Sequence, residues 1–216
     1  MNFYIYSPNW FKGIDSFFEL LIILILIIIS IYSFKTYYFS KNSNYLLLTI
    51  SFVLMSISYL SKIVSNIVFI STEYQVLIYF FSLSTLLTLE NISILIHKFT
   101  LIISFLVLLY ISSKKQNILP LIGISFILTL ATIIVNSYQL FLLVIILINV
   151  FIILNFIYFN ANTRSILPIF FILLTISYGF LFLAPILNIF YVIGEISLLF
   201  SYSVLLFSFV KIFQLK

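Results

Sequence analysis

Cysteine is absent from this chain of 216 residues, and histidine occurs only once, at His97. The first absence excludes disulfides, thiolate metal sites and cysteine nucleophiles. The single imidazole excludes any metal site that needs two histidines. Only 7% of the residues are charged, whereas a soluble domain has roughly a quarter of its residues charged. So few charges could not cover the water-facing surface of a soluble domain of this size.

Long apolar runs take the place of the missing charges. Hydrophobic residues make up 64% of the chain and the mean hydropathy is +1.34. A bilayer core about 30 Å thick needs about 20 mostly apolar residues per helix, and each apolar stretch reaches that length or can be extended to it. The in/out alternation of barrel strands is missing. The sequence therefore predicts an all-α integral membrane protein whose main partner is the lipid bilayer.

The apolar stretches divide into seven predicted transmembrane helices. Prolines fall where helices begin or end: Pro120 and Pro168 in the first turn of two spans, and Pro185 at the close of another. The connections are short, which makes sequence neighbours antiparallel neighbours in space. We therefore predict one transmembrane domain, residues 1–216, with helices at about 14–34, 45–70, 91–113, 118–136, 139–159, 166–185 and 188–210.

Residues 71–112 also allow a division into two helices, at about 76–96 and 98–112, which would give eight spans. Lysine and arginine bias sets orientation, and it favours seven. With seven spans and the N-terminus outside, all five acids lie on the outer side, and residues 71–90 form an outer amphipathic or re-entrant segment. This N-out/C-in plan places seven basic residues in the cytoplasm: Lys35, Lys41, Lys114, Lys115, Arg164, Lys211 and Lys216.

The second and sixth spans contain similar segments. Residues 52–59 and 171–178 share the pattern Phe-x-Leu-x-x-Ile-Ser-Tyr, and both spans run from inside to outside. A repeat of this kind fits a 3+1+3 plan, in which two parallel three-helix units are joined by the fourth helix. The alternative is chance similarity between two helices rich in Ile, Leu and Ser.

Four ionisable residues fall inside the predicted spans, in one layer near the outer side: Glu19, Lys62, His97 and Glu195. Each such residue is costly at the bilayer centre, about 2.5–3.5 kcal/mol on insertion scales. The functional interpretation is a polar pocket in which Lys62 pairs with Glu19 or Glu195 and His97 senses pH. The alternative is that the charges snorkel to the headgroups while serines join the helices. Lys98, about 100° around the helix from His97, is expected to snorkel.

Two motifs carry a resemblance to a known class of protein. One is Tyr45-Leu-Leu-Leu-Thr-Ile-Ser-Phe-Val-Leu-Met-Ser-Ile-Ser-Tyr59, which follows a basic loop, and the other is Gly194-Glu195 through Tyr202, followed by Lys211. With the N-out/C-in plan they resemble uncharacterised archaeal membrane proteins and the seven-helix sensor regions of histidine kinases. The resemblance implies a sensor or receptor. Since no kinase domain follows in the sequence, we expect its output to pass to a separate effector.

Other functions remain as alternatives. A small-solute transporter would use the 3+1+3 plan, and an accessory subunit of an organellar complex would explain the bias toward Phe, Tyr, Ile and Asn. The location is accordingly a cell membrane or, alternatively, the mitochondrial inner membrane. Scattered basic residues do not indicate nucleic-acid binding. No catalytic motif, metal site or cofactor site is recognised, so we predict a non-enzymatic protein.

Overall fold

The computed structural model describes residues 6–73, 82–113, 137–159 and 167–214. These residues form six α-helices connected by short turns or by residues outside the described ranges. The helices are α1 (Ile14–Ser40), α2 (Ser43–Glu73), α3 (Leu83–Ser112), α4 (Tyr138–Phe159), α5 (Leu167–Leu183) and α6 (Asn188–Gln214).

The helices have the length and surface of membrane spans. Within the described residues, α1, α2, α3, α4 and α6 are long and apolar enough to cross a bilayer, and α5 is apolar but only 17 residues long. Large apolar side chains such as Ile31, Phe200 and Phe207 point away from the bundle, as lipid-facing residues do. The prediction of an all-α membrane protein is confirmed. The predicted count of seven is not reached among these residues, and the span predicted at 118–136 lies outside them.

The helix ends differ from those predicted by hydropathy. The prediction stopped the first helix at residue 34, before Lys35, but α1 continues to Ser40 with Lys35 exposed on its surface. It ends at Lys41, whose φ of 55° is left-handed and whose N–H donates to the carbonyl of Tyr37. A charge ends the apolar stretch without ending the helix, because a helix can extend beyond the hydrocarbon core.

The segment between the second and third predicted spans is more helical than expected. Residues 71–73 belong to α2 and residues 83–90 to α3, so the outer amphipathic or re-entrant segment is wrong for these residues, while 74–81 lie outside the described ranges. The start of α3 is fixed by Ser82, whose hydroxyl accepts the N–H of Thr85. Because α3 runs unbroken through His97, the division into helices at 76–96 and 98–112 is also wrong.

The described helices form a closed ring in the order α1, α2, α3, α4, α5, α6, with α6 returning to contact α1. We call α1–α3 the first half and α4–α6 the second half. Two contacts between the halves close the ring, α1 with α6 and α3 with α4. In both pairs the helices run parallel, since contacts advance together along the two chains: Asp15 with Tyr191, His97 with Tyr138 and Ser112 with Asn155.

The two similar segments occupy matching positions in this ring. Residues 52–59 lie in α2 and residues 171–178 in α5, each the middle helix of its half. In both segments the same four positions are buried: the first (Phe), the fourth (Met55 or Leu174), the seventh (Ser) and the eighth (Tyr). The two terminal tyrosines meet at the centre of the ring, where the hydroxyls of Tyr59 and Tyr178 are 3.3 Å apart. The similar sequences therefore present the same face to the interior of the bundle.

Candidate functional site

A buried ionic cluster lies between the two halves, near the end of the bundle at which α1 and α6 begin, which we call the outer end. The Nζ of Lys62 is 2.7 Å from the Oε1 of Glu19 and 2.7 Å from the Oε1 of Glu195. Both glutamates are completely buried, and Lys62 is 7% exposed. These three residues, the triad, come from α1, α2 and α6, so a single lysine links the first half to the second.

Helical spacing builds the triad and the layer above it. Asp15 precedes Glu19 by one turn on α1, and Tyr191 precedes Glu195 by one turn on α6. Because α1 and α6 are parallel, the two turns align, and the Tyr191 hydroxyl donates to Asp15 Oδ2 at 3.0 Å. The contact of α1 with α6 therefore has two polar layers, Asp15–Tyr191 above and the triad below.

The residues before α1 cover these layers from the outer end. The hydroxyl of Ser7 donates to Asp15, and the amides of Gly13 and Ser16 donate to its other carboxylate oxygen. Gly13 has a φ of 93°, a conformation that glycine adopts without strain. Phe11, 2% exposed, packs edge-on against Tyr191. The triad is thus separated from the outer surface by a layer that is itself hydrogen-bonded.

The two glutamates of the triad differ in their partners. Glu19 accepts from Lys62 and also from the Asn66 amide, at 3.3 Å to Oε1 and 3.2 Å to Oε2. Glu195 accepts from Lys62 through Oε1, while its buried Oε2 has no hydrogen-bond partner among the described residues. An ionised carboxylate has about four acceptor positions to satisfy. Glu195 is therefore the less satisfied carboxylate.

His97 lies in a separate contact, between α2, α3 and α4. Its Nδ1 is 2.8 Å from the Ser58 hydroxyl and 3.1 Å from the Ser58 carbonyl, and its Nε2 is 3.4 Å from the Tyr138 hydroxyl. The Ser58 hydroxyl donates to the His97 carbonyl. We call Ser58, His97 and Tyr138 the histidine junction. The His97 and Tyr138 rings are also nearly parallel, at 9°.

Hydrogen-bond chemistry assigns the form of this imidazole. The Ser58 carbonyl can only accept, so Nδ1 has the proton. Nε2 is then the acceptor for the Tyr138 hydroxyl, and both ring nitrogens of a neutral histidine are satisfied. The candidate pocket residues thus divide into two groups. Glu19, Lys62 and Glu195 are in direct contact, while His97 bonds to Ser58 and Tyr138.

Lys98 is buried rather than snorkelling, so this prediction was wrong. His97 is 3% and Lys98 2% exposed, although they are adjacent on one helix. The reason is that α3 is covered on two sides, by α2 and by α4. The Nζ of Lys98 lies 5.9 Å from the centre of the Tyr138 ring, a cation–π arrangement. Two neighbouring side chains can therefore both be covered.

A layer of tyrosines lies at the centre of the ring, which we call the tyrosine layer: Tyr59, Tyr178 and Tyr202. The Tyr59 hydroxyl is 3.3 Å from that of Tyr178 and 3.2 Å from that of Tyr202. Tyr59 precedes Lys62 by three residues, which places it about 4.5 Å further from the outer end along α2. Tyr138 was missed as a site residue because it precedes the helix predicted at 139–159, whereas α4 begins at this residue.

A close helix contact holds Glu195 in place. A Cβ on Gly194 would lie 2.6 Å from Cδ2 and 3.2 Å from the backbone nitrogen of Leu181. Small residues allow helices in membranes to approach closely. The absence of a side chain at Gly194 therefore lets α6 lie against α5 next to the triad.

Within the described ranges, no group of three or more His, Cys, Asp or Glu residues is arranged to hold a metal ion. The triad offers acid–base and ion-pair chemistry instead. Comparison of the chain with protein-family models, with curated proteins and with solved structures gave no match.

Proposed function

We propose that this protein is a non-enzymatic, seven-helix sensor or receptor of the cell membrane that acts through a separate partner. The observation that carries the proposal is the link that Lys62 makes between Glu19 of the first half and Glu195 of the second. Buried charges at a junction between helix groups are well suited to switching. Loss of one charge leaves the others uncompensated and favours a different packing.

The seven-span count is supported by the direction of α3 and α4. Ser112, at the end of α3, bonds to Asn155, whereas Tyr138, at the start of α4, bonds to His97. The chain therefore leaves α3 at one height and enters α4 some 15 residues higher, about 22 Å at the rise of an α-helix. This difference in height is the one that the proposed seventh span requires.

The orientation is supported by the parallel pair α1 and α6. Lys41 follows the end of α1 and Lys211 lies in the last turn of α6, at the same end of the bundle. Asp15 lies in the first turn of α1, at the opposite end. Lysine and arginine favour the cytoplasmic side, so the triad belongs to the outer half of the membrane. A stimulus from outside would reach it through the Asp15–Tyr191 layer.

A distance measurement between the cytoplasmic ends of α1 and α6 tests the sensor proposal. The chain has no cysteine, so Ser40→Cys and Lys211→Cys, both exposed, can be spin-labelled without other changes. We expect Lys62→Met, which removes the cation shared by the two glutamates, to shift the label distance by about 1–2 Å or more, the size of helix shifts in switching proteins. Lys35→Met, the same change outside the triad, is the control. Identical distances in all three proteins would contradict the proposal.

A small-solute transporter is the second candidate, favoured by the matching positions of the two similar segments. Two parallel three-helix halves that meet at Tyr59 and Tyr178 could rock about the tyrosine layer and open to each side in turn. Met55→Cys, at a buried position beside Tyr202, distinguishes the two functions. A transporter predicts labelling by a membrane-impermeant thiol reagent from both sides. A receptor predicts no labelling from the cytoplasmic side.

A further inference from the structure

We infer that the triad holds one exchangeable proton at neutral pH and that the carboxyl group of Glu195 carries it. The inference deepens the proposed function and rests on it, since it names the proton as the ligand to which this sensor responds. It follows from the charges of the cluster and from the hydrogen bonds of each carboxylate.

Charge balance favours one bound proton in the triad. Two glutamates surround one lysine, and the glutamates are completely buried. If all three were ionised, the triad would have a net charge of −1 in an apolar interior. Both Oε1 atoms lie 2.7 Å from the same nitrogen, so the carboxylates are also close to each other. Carboxylates that share a buried site do not both ionise readily, and uptake of one proton makes the cluster neutral.

The hydrogen bonds of the two glutamates indicate which carboxyl group holds the proton. Glu19 receives hydrogen bonds at both oxygens, from Lys62 and from Asn66, which suits an ionised group. Among the residues that the structure describes, Glu195 receives one hydrogen bond, at Oε1, and its buried Oε2 has no partner. Burying an unpaired charge costs far more than burying a neutral acid. The proton therefore belongs on Oε2 of Glu195, while Lys62 donates to Oε1.

Among the described residues, Lys62 is the only cation paired with the two glutamates. On α1, Asp15 adds a further carboxylate one turn toward the outer end, and on α6 its partner is the neutral Tyr191. On α2, Asn66 is neutral, and on α4 the phenol of Tyr138 is within electrostatic range of all three members of the triad. On α3, the Nζ of Lys98 lies 5.9 Å from the centre of the Tyr138 ring.

His97, the pH sensor expected from the sequence, is not the proton-binding group in this inference. Its neutral ring is already satisfied on both nitrogens by Ser58 and Tyr138. A second ring proton would turn the acceptor Nε2 into a donor and break its bond from the Tyr138 hydroxyl. The histidine junction is thus suited to a fixed contact, and the triad to a protonation change.

The polar groups around the triad also give the direction of exchange. Toward the outer end lie Asp15, Tyr191 and Ser7, joined by hydrogen bonds. In the other direction, beyond the tyrosine layer, lie apolar side chains such as Phe52 and Leu205 together with the buried hydroxyls of Ser51 and Ser208. Since the groups one turn from Glu195 toward the outer end are hydrogen-bonded to one another, we expect its proton to exchange on that side.

Infrared spectroscopy of the purified protein tests the inference through the C=O stretch of protonated carboxylic acids. We expect the wild type at neutral pH to show one such band from the triad, shifted in heavy water. Glu195→Gln and Glu19→Gln should each abolish it, since either change leaves one acid paired with Lys62. Lys62→Met should increase it, because both glutamates then need a proton. Glu90→Gln, the matched control, should leave it unchanged.

Two results would overturn the inference. One is a wild-type protein that shows no protonated acid at neutral pH, whatever the variants show. If the stability of that protein also increased with sodium concentration, a metal cation would balance the charge in place of the proton. The other is a band that survives both glutamine variants. Neither result depends on the spin-label distances. If the infrared band is present but the label distances do not change, the sensor proposal alone is contradicted. If the label distances change but the band is absent, only the identification of the proton as the ligand is contradicted.

Discussion

Two of the contacts that join the halves, the triad and the histidine junction, have the same architecture and opposite chemistry. Both pair parallel helices, α1 with α6 and α3 with α4, and α2 supplies a side chain to each. In the triad, Lys62 is shared by two glutamates, one of which has an oxygen without a partner in the described part of the chain. In the histidine junction, Ser58, His97 and Tyr138 are neutral and mutually satisfied. A contact with an excess charge responds to its surroundings, whereas a satisfied neutral contact holds its geometry.

Removal of Lys62 should have the largest effect. Lys62→Met removes the cation shared by Glu19 and Glu195, and breaking a buried ion pair in this way costs about 3–5 kcal/mol of stability. The loss should shrink as the pH falls, because the second proton that the two buried acids then need binds more readily. Chemical denaturation in mixed micelles measures it, with the exposed Lys35→Met as the control. Equal stability of the two variants would show that the triad is not an ionic link.

The pH dependence of stability should distinguish the two contacts. If folded Glu195 keeps a proton that the unfolded chain has released, stability falls as pH rises, by about 1.4 kcal/mol per unit near neutrality. Glu195→Gln should remove this slope. His97→Ala should lower stability by about 1–3 kcal/mol through lost hydrogen bonds, with the slope unchanged above about pH 7.5, where the imidazole is neutral in both the folded and the unfolded chain. A slope that disappears in His97→Ala instead would reverse the roles of the two contacts.

The close approach of α5 and α6 should have a smaller effect. Gly194→Ala places a methyl group against Leu181, and overpacking of this kind costs at least about 1 kcal/mol. Gly179→Ala is the matched control, since a Cβ there meets nothing within 4 Å. Thermal unfolding compares the two. If both alanines are equally stable, the position of Glu195 does not depend on the glycine next to it.

The tyrosine layer should respond least. Interhelical hydrogen bonds in membranes average about 0.6 kcal/mol, and Tyr59 is within reach of two hydroxyls, those of Tyr178 and Tyr202. Tyr59→Phe should therefore destabilise the protein by about 1 kcal/mol in thermal unfolding, and Tyr110→Phe, which removes a hydroxyl from an exposed side chain, provides the baseline. The same stability in both variants would show that the Tyr59 hydroxyl contributes nothing to the packing of the halves.

Sequence reasoning located the helices better than their ends. Apolar length identified every described helix, because the bilayer imposes it. It missed the last turns of α1 and the first turns of α3, which are set by Lys41 and by the Ser82 cap rather than by hydropathy. The fourth predicted helix lies outside the described residues, so the count of seven stays a prediction.

The candidate site was predictable as a set of residues but not as an arrangement. Helical spacing and depth were enough to group Glu19, Lys62 and Glu195, because ionisable residues at one height in a membrane have few other partners. The separate environment of His97 was not predictable, since it depends on Ser58 and on Tyr138 from α4. The functional role of the pocket stays a prediction.

A double-mutant cycle between Lys62 and Glu195 tests whether the interaction of these two side chains couples the two halves. If the triad links them, Glu195→Gln in the Lys62→Met background removes an unpaired acid and restores part of the lost stability, with a coupling of about 0.5–3 kcal/mol. If the loss of stability in the double variant equals the sum of the losses in the two single variants, the two side chains do not interact and the link between the halves is contradicted.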